Sequence, residues 1–136
     1  MDAPLERRVR ERARGRCEYC QLPEAFSTLP FQVDHIIARK HGGATEPGNL
    51  ALACFYCNTH KGPNIAGRHR DTAEIVRLFN PRTDEWAEHF KWNGPTLTGL
   101  TAIGGVTVDV LAINRPEFVT LRESLIAGGS FPPRVD

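Results

Sequence analysis

The chain has 136 residues, of which 40% are hydrophobic and 24% charged, with a formal net charge of +1. These totals fit one globular domain that buries a core without disulfides, and they exclude a polycation. No apolar run approaches the ~20 residues of a membrane span, so we expect no membrane partner. The amino end lacks the apolar stretch of a secretory leader, and a cytoplasmic location is the default expectation.

Positive charge is concentrated in the first half of the chain. Residues 1–70 hold 11 basic against 7 acidic side chains, whereas residues 71–136 hold 6 against 9. Contacts with phosphate depend on local Lys and Arg more than on overall charge. An arginine-rich helix is predicted over residues 3–14, with Pro4 near its start and Gly15 at its end. It is either a solvated surface helix or an arm that contacts a nucleic-acid backbone.

The four cysteines form two C-x-x-C pairs, Cys17 with Cys20 and Cys54 with Cys57, separated by 33 residues. In a reducing compartment this pattern indicates a tetrahedral zinc site with four thiolate ligands rather than disulfides. Because four thiolates leave no open coordination position, we expect the zinc to be structural. The separation exceeds usual zinc-finger spacing, so the segment between the pairs must hold more than a turn.

A β-type run over residues 31–37 carries Asp34 and His35 among Val and Ile residues. A glycine-rich loop over 38–48, an apolar segment over 50–53 and a helix from about residue 57 to Gly62 follow. Zinc closure would bring the strand beside Asn58 at the helix start. A carboxylate and an amide oxygen would then converge, which suits Mg²⁺ or a similar ion. His35 points to the other face of the strand and is a candidate base.

The remainder of the chain is expected to hold mixed strands and helices. Strands are predicted over residues 74–79 and 86–92, a hairpin strand over 96–100, a helix from Thr101 to about Ile113, and a last helix between Pro116 and Gly128. Trp86, Phe90 and Trp92 would share one strand face, where core packing is favoured over base stacking. Residues 130–136 are predicted to form a loose tail.

Residues 17–62 follow the pattern C-x-Y-C, V-D-H-I-I, H-G-G, N-L and C-x-x-C-N-x-x-K-G, which resembles the HNH family of ββα-metal nucleases. The run L-F-N-P-R to N-R-P further on is similar to the tail of many small bacterial and phage members. The resemblance implies an α+β fold whose ββα-metal (His-Me finger) core is braced by the four-cysteine zinc site. We expect one nuclease domain over residues 1–136, with a basic helix over 1–16, the core over 17–66 and an extension over 67–136.

The resemblance also implies roles for four residues. Asp34 and Asn58 would ligate a catalytic ion, His35 would deprotonate the attacking water, and Asn49 would fix the loop and the orientation of His35. The third motif position is often histidine, and Asn58 there makes an H-N-N variant that favours hard Mg²⁺ or Mn²⁺. The implied activity is metal-dependent hydrolysis of phosphodiester bonds in DNA, with RNA left open, by a monomer or homodimer. The alternative is a catalytically inactive, zinc-braced nucleic-acid-binding module.

Four further side chains are candidate substrate contacts. Lys61 either contacts phosphate or is a charged helix end facing the helix dipole. Arg39 and Lys40 either steer DNA or form a solvated pair. His41 lies in the His-Gly-Gly turn, where loop packing is favoured over metal ligation.

Overall fold

A computed structural model describes residues 1–133 of the chain. Its helices and strands, in chain order, are α1 (Ala3–Ala13), β1 (Gln32–His35), β2 (Leu50–Ala53), α2 (Phe55–Lys61), β3 (Ala66–Arg68), β4 (Ile75–Arg77), α3 (Trp86–His89), β5 (Phe90–Asn93), β6 (Thr96–Gly99), α4 (Ala102–Val110) and α5 (Pro116–Ala127). The strands form antiparallel pairs β1–β2, β3–β4 and β5–β6. Within these residues, no helix is both long and apolar enough to cross a bilayer.

Helix α1 has the ends that the sequence predicts. The Asp2 side chain accepts a hydrogen bond from the Leu5 amide at 2.8 Å and so caps the helix. Arg14 ends it in the left-handed conformation, with φ of 55°. Val9 and Ala13, four residues apart and therefore on one face, are buried where α1 packs on β2.

A β-hairpin followed by a helix forms the centre of the first half. In the β1–β2 pair, Asp34 lies opposite Ala51 and His35 opposite Leu50. Every residue of β2 is buried. Helix α2 begins directly after β2 and packs against both strands. The mixed α+β architecture with a ββα core is therefore confirmed.

The second half packs hairpin β5–β6 and strands β3 and β4 on helix α4. Thr101 caps α4 by accepting from the Gly104 amide at 3.0 Å, as predicted. A Cβ at Gly104 would lie 2.0 Å from the carbonyl oxygen of His89. The glycine therefore permits the close approach of α4 to the segment that joins α3 and β5.

The strand predicted over residues 86–92 is wrong in its first half. Trp86 lies in the short helix α3, and only Phe90 and Trp92 lie in strand β5. The three rings nevertheless pack together, with Trp86 centred 5.2 Å from Phe90 and 6.1 Å from Trp92. Trp86 Nε1 also donates to the Tyr19 carbonyl at 2.9 Å. Core packing is confirmed as the role of these rings.

Two other expectations need correction. The strand predicted over 74–79 is shorter, and its partner β3 was not anticipated. The predicted tail is not loose at Phe131, which is buried and packs edge-on against Trp92 with ring centres 4.9 Å apart. Residues 134–136 of that tail lie outside the described part of the chain.

Candidate active site and metal cluster

The four cysteine sulfurs converge behind the hairpin. Their ligand atoms all lie within 4.8 Å of one another, and all four residues are buried. Tetrahedral zinc–thiolate bonds of about 2.3 Å place sulfurs roughly 3.8 Å apart, and Cys20 Sγ lies 3.8 Å from Cys54 Sγ. In each pair the second backbone amide donates to the first sulfur, at 3.4 Å in the first pair and 3.3 Å in the second. The cluster fits a structural metal such as zinc.

The protonation of the four neighbouring thiols also favours a bound cation. Hydrogen bonds from Cys17 and its neighbours lower the pKa of Cys54. Hydrogen bonds with Cys17, followed by burial, raise the pKa of Cys20 and Cys57, and the negative charge of a neighbouring thiolate acts in the same direction. Four thiolates are therefore stable together only around a divalent ion.

Asp34 lies on the face of β1 that is turned into the protein, and only 4% of its surface is exposed. Its carboxylate accepts from the Tyr19 hydroxyl at 2.7 Å and lies 3.2 Å from the Lys61 ammonium. Burial raises the pKa of the carboxyl, while Lys61 and Tyr19 act in the opposite direction. Each carboxylate oxygen has two lone-pair sites, so the group retains capacity for a further partner. A hard cation would share it with the ammonium.

Lys61 is the charged last residue of α2, as one of its two predicted roles requires, but it is buried rather than solvated. Its side chain is 1% exposed at the end of α2. The Nζ atom donates to Asp34 at 3.3 Å and to the carbonyls of His35 and Ile36 at 3.2 and 3.1 Å. Because an ammonium has three protons, these contacts use its full donor capacity. In this conformation the Lys61 ammonium has no donor left for a phosphate.

Asn58 is positioned by the metal cluster. It follows Cys57 directly, and its backbone amide donates to the Cys54 carbonyl at 3.0 Å in the first turn of α2. The residue is half-buried, and within residues 1–133 its side-chain amide has no hydrogen-bond partner. The Asn58 side chain is therefore free to bind a ligand. Its amide oxygen is a hard ligand of the kind that Mg²⁺ and Mn²⁺ prefer.

His35 lies on the opposite, half-exposed face of β1. Its Nε2 atom is 2.8 Å from the hydroxyl of Thr45. Partial burial, and after it the positive charge of Arg39, lower the pKa of the imidazole. The ring is therefore neutral at neutral pH, which a general base requires.

Asn49 fixes the loop after β1, through contacts on both sides of the loop. Its side chain accepts from the Ile37 amide at 2.9 Å and donates to the carbonyls of Ile37 and Ala44 at 3.0 and 2.9 Å. It does not touch His35, but it holds Ala44, the neighbour of Thr45. Gly43 is needed in this loop because a Cβ there would lie 1.7 Å from the Ile37 carbonyl oxygen.

The other candidate substrate contacts are on the surface. Arg39, Lys40 and His41 form an exposed single turn, and within residues 1–133 their side chains make no hydrogen bond or ion pair. The packing role favoured for His41 is therefore not observed. In helix α1, the Arg12 side chain forms hydrogen bonds within the protein, to the carbonyls of Pro47 and Leu50 at 2.9 and 2.6 Å.

Sequence reasoning missed two partners of the site, Tyr19 and Thr45. The position of Tyr19 between two candidate metal-ligand cysteines is a sequence signal that indicates a place beside the site. Thr45 is an exposed residue of a glycine-rich loop, and no spacing rule connects it to His35.

A two-stranded hairpin and a helix, joined to a four-cysteine metal cluster, define a ββα-metal domain. Residues 17–64 match the family model described as HNH endonuclease. This part of the chain, which includes the hairpin, helix α2 and all four cysteines, is therefore similar to the HNH endonuclease family, in agreement with the resemblance of its motif. No curated protein and no solved structure matches the chain.

Proposed function

We propose that the protein is a metal-dependent endonuclease that hydrolyses phosphodiester bonds in DNA, with His35 as the general base. The observation that carries this proposal is the division of β1 into two faces. Asp34 contacts Lys61 of α2, the helix that bears Asn58, while His35 contacts Thr45 in an exposed loop. A module that only binds nucleic acid needs neither group.

We assign the proton-accepting role to Nδ1, with the proton of the neutral ring on Nε2. When Nε2–H donates to the Thr45 hydroxyl, Nδ1 is the unprotonated nitrogen and the proton acceptor. Asn49 holds the loop that carries Thr45 and so acts as a positioning residue. The lowered pKa of His35 keeps this nitrogen free to accept a proton from water.

The anionic phosphodiester repels a nucleophile, so its charge must be balanced. Asp34 and Asn58 would hold a divalent cation, Mg²⁺ or Mn²⁺, which would neutralise charge on the phosphoryl and departing 3′ oxygens. His35 removes a proton from the attacking water, whose oxygen bonds to phosphorus while the bond from phosphorus to the 3′ oxygen breaks. The departing 3′ oxygen takes up a proton from solvent, so the products carry a 5′-phosphate and a 3′-hydroxyl. No 2′-hydroxyl takes part, so DNA is chemically accessible.

The test is cleavage of supercoiled plasmid by protein loaded with zinc. Plasmid should be nicked or linearised with Mg²⁺ or Mn²⁺ and stay intact with EDTA. The His35→Ala variant should keep its zinc and melting temperature but lose cleavage. Plasmid left uncut by wild-type protein with every metal would overturn the proposal, and equal cleavage by the variant would show that the base is misassigned.

A second function is favoured by one observation. The charge of the Asp34 carboxylate is already balanced by Lys61, so its attraction for a metal cation is reduced. An inactive nucleic-acid-binding module would be consistent with that pairing. Such a protein would retard DNA in a gel with no cleavage in any metal.

A further inference from the structure

Lys61, at the end of α2, contacts the backbone at the end of strand β1. Strand β1 ends at His35, and Lys61 Nζ lies 3.2 Å from the His35 carbonyl oxygen and 3.1 Å from that of Ile36. Buried carbonyl groups beyond the end of a strand lack the hydrogen bonds of the sheet and need another hydrogen-bond donor. Lys61 supplies it, and so ties the backbone of His35 to the helix that carries Asn58.

The Asp34 carboxylate is also held by Tyr19, which belongs to the segment of the first cysteine pair. Tyr19 lies between Cys17 and Cys20, is fully buried, and donates from its hydroxyl to Asp34 at 2.7 Å. Asp34 is thereby fixed between the first cysteine pair and the end of α2.

We propose that Lys61 and Tyr19 are positioning residues of the active site. Lys61 holds the backbone of the base His35 and contacts both oxygens of the Asp34 carboxylate, and Tyr19 donates to one of these oxygens. The inference rests on the proposed function and adds two residues to it. It assigns Lys61 an effect on the rate of the bound complex rather than on DNA binding. A misplacement of catalytic groups by ~1 Å is enough to slow a reaction by about 100-fold.

The test compares Lys61→Met with Lys91→Met, since Lys91 is an exposed residue of β5 outside the site. Both variants are loaded with zinc and assayed on DNA in Mg²⁺ below their melting temperatures. Lys61→Met should lower kcat by about 100-fold and leave KM for DNA within about 3-fold of wild type. Lys91→Met should change neither. A folded Lys61→Met protein with wild-type kcat, or one whose loss lies in KM, would overturn the proposal.

Tyr19→Phe decides the matter if Lys61→Met does not fold, because it removes one hydroxyl and keeps the ring. We expect kcat to fall by at least 5-fold with KM for DNA unchanged. A kcat equal to that of wild type would contradict the positioning role.

A backbone amide NMR spectrum separates this inference from the proposed function. If wild-type protein cuts nothing, the proposed function fails. The positioning of β1 by Lys61 still stands if the amide signals of residues 34–37 shift in Lys61→Met and not in Lys91→Met. Unmoved signals in both variants would end the inference by itself.

Discussion

Breaking the buried ion pair should destabilise the protein far more than removing both of its charges. Lys61 and Asp34 are 1% and 4% exposed, so replacing one partner leaves a buried charge without a counter-ion, at a cost of about 3–5 kcal/mol. For 136 residues, an unfolding entropy of about 2.1 cal/mol/K per residue converts this into a melting temperature roughly 10–17 °C lower. Lys61→Met and Asp34→Asn should each fall in this range.

The double variant should be close to wild type, because a neutral pair has no uncompensated charge. The coupling free energy in the resulting double-mutant cycle is expected to be about 3 kcal/mol or more. The assay is thermal unfolding at a fixed free zinc concentration, since metal release otherwise contributes to the transition. Lys91→Met is the control and should stay within about 0.5 kcal/mol. Single effects below about 1 kcal/mol that simply add would refute a buried, mutually dependent pair.

Three further variants test the loop, the base and the metal cluster. Arg39→Gln removes a positive charge that lowers the pKa of His35, so the pKa of His35 should rise. Because the base acts only when neutral, the acid limb of the kcat–pH profile should move to higher pH. No movement of this limb, or a move to lower pH, would contradict the role of His35. Cys54→Ser removes one of four sulfur ligands and should abolish zinc retention and lower the melting temperature, so an unchanged zinc content by metal analysis would count against the cluster. Gly43→Ala places a Cβ 1.7 Å from a backbone carbonyl oxygen and should cost about 1–3 kcal/mol of unfolding free energy in denaturant melts, while Gly48→Ala, whose Cβ meets nothing within 4 Å, should be nearly neutral.

Much of the fold was predictable because local chemistry decides it. Asp2 caps the start of α1, and the left-handed residue Arg14 follows its end, close to the limits that the sequence predicts. Thr101 caps α4 as its residue type suggests. The short helix at Trp86 was not predictable, since spaced aromatic residues favour a strand and a four-residue helix has no period of its own. Its conformation is decided by packing against residues distant in sequence.

The site divides in the same way. The cysteine spacing predicts the metal cluster, because ligand type and number specify a tetrahedral site. The burial of Lys61 was not predictable, since lysine is almost never fully buried unless paired. Its partner, Asp34, is 27 residues away in the chain, and only the packing of α2 on β1 brings the two together. The contact of His35 with Thr45 likewise depends on the path of one loop.

Anomalous diffraction from Mn²⁺ in crystals of the zinc-loaded protein with a DNA duplex tests the central claim most directly. The account predicts a manganese peak bound by oxygens of Asp34 and Asn58 and by a phosphate of the DNA, with Nδ1 of His35 directed at that phosphate. A duplex bound elsewhere, or a peak that involves neither side chain, would contradict it.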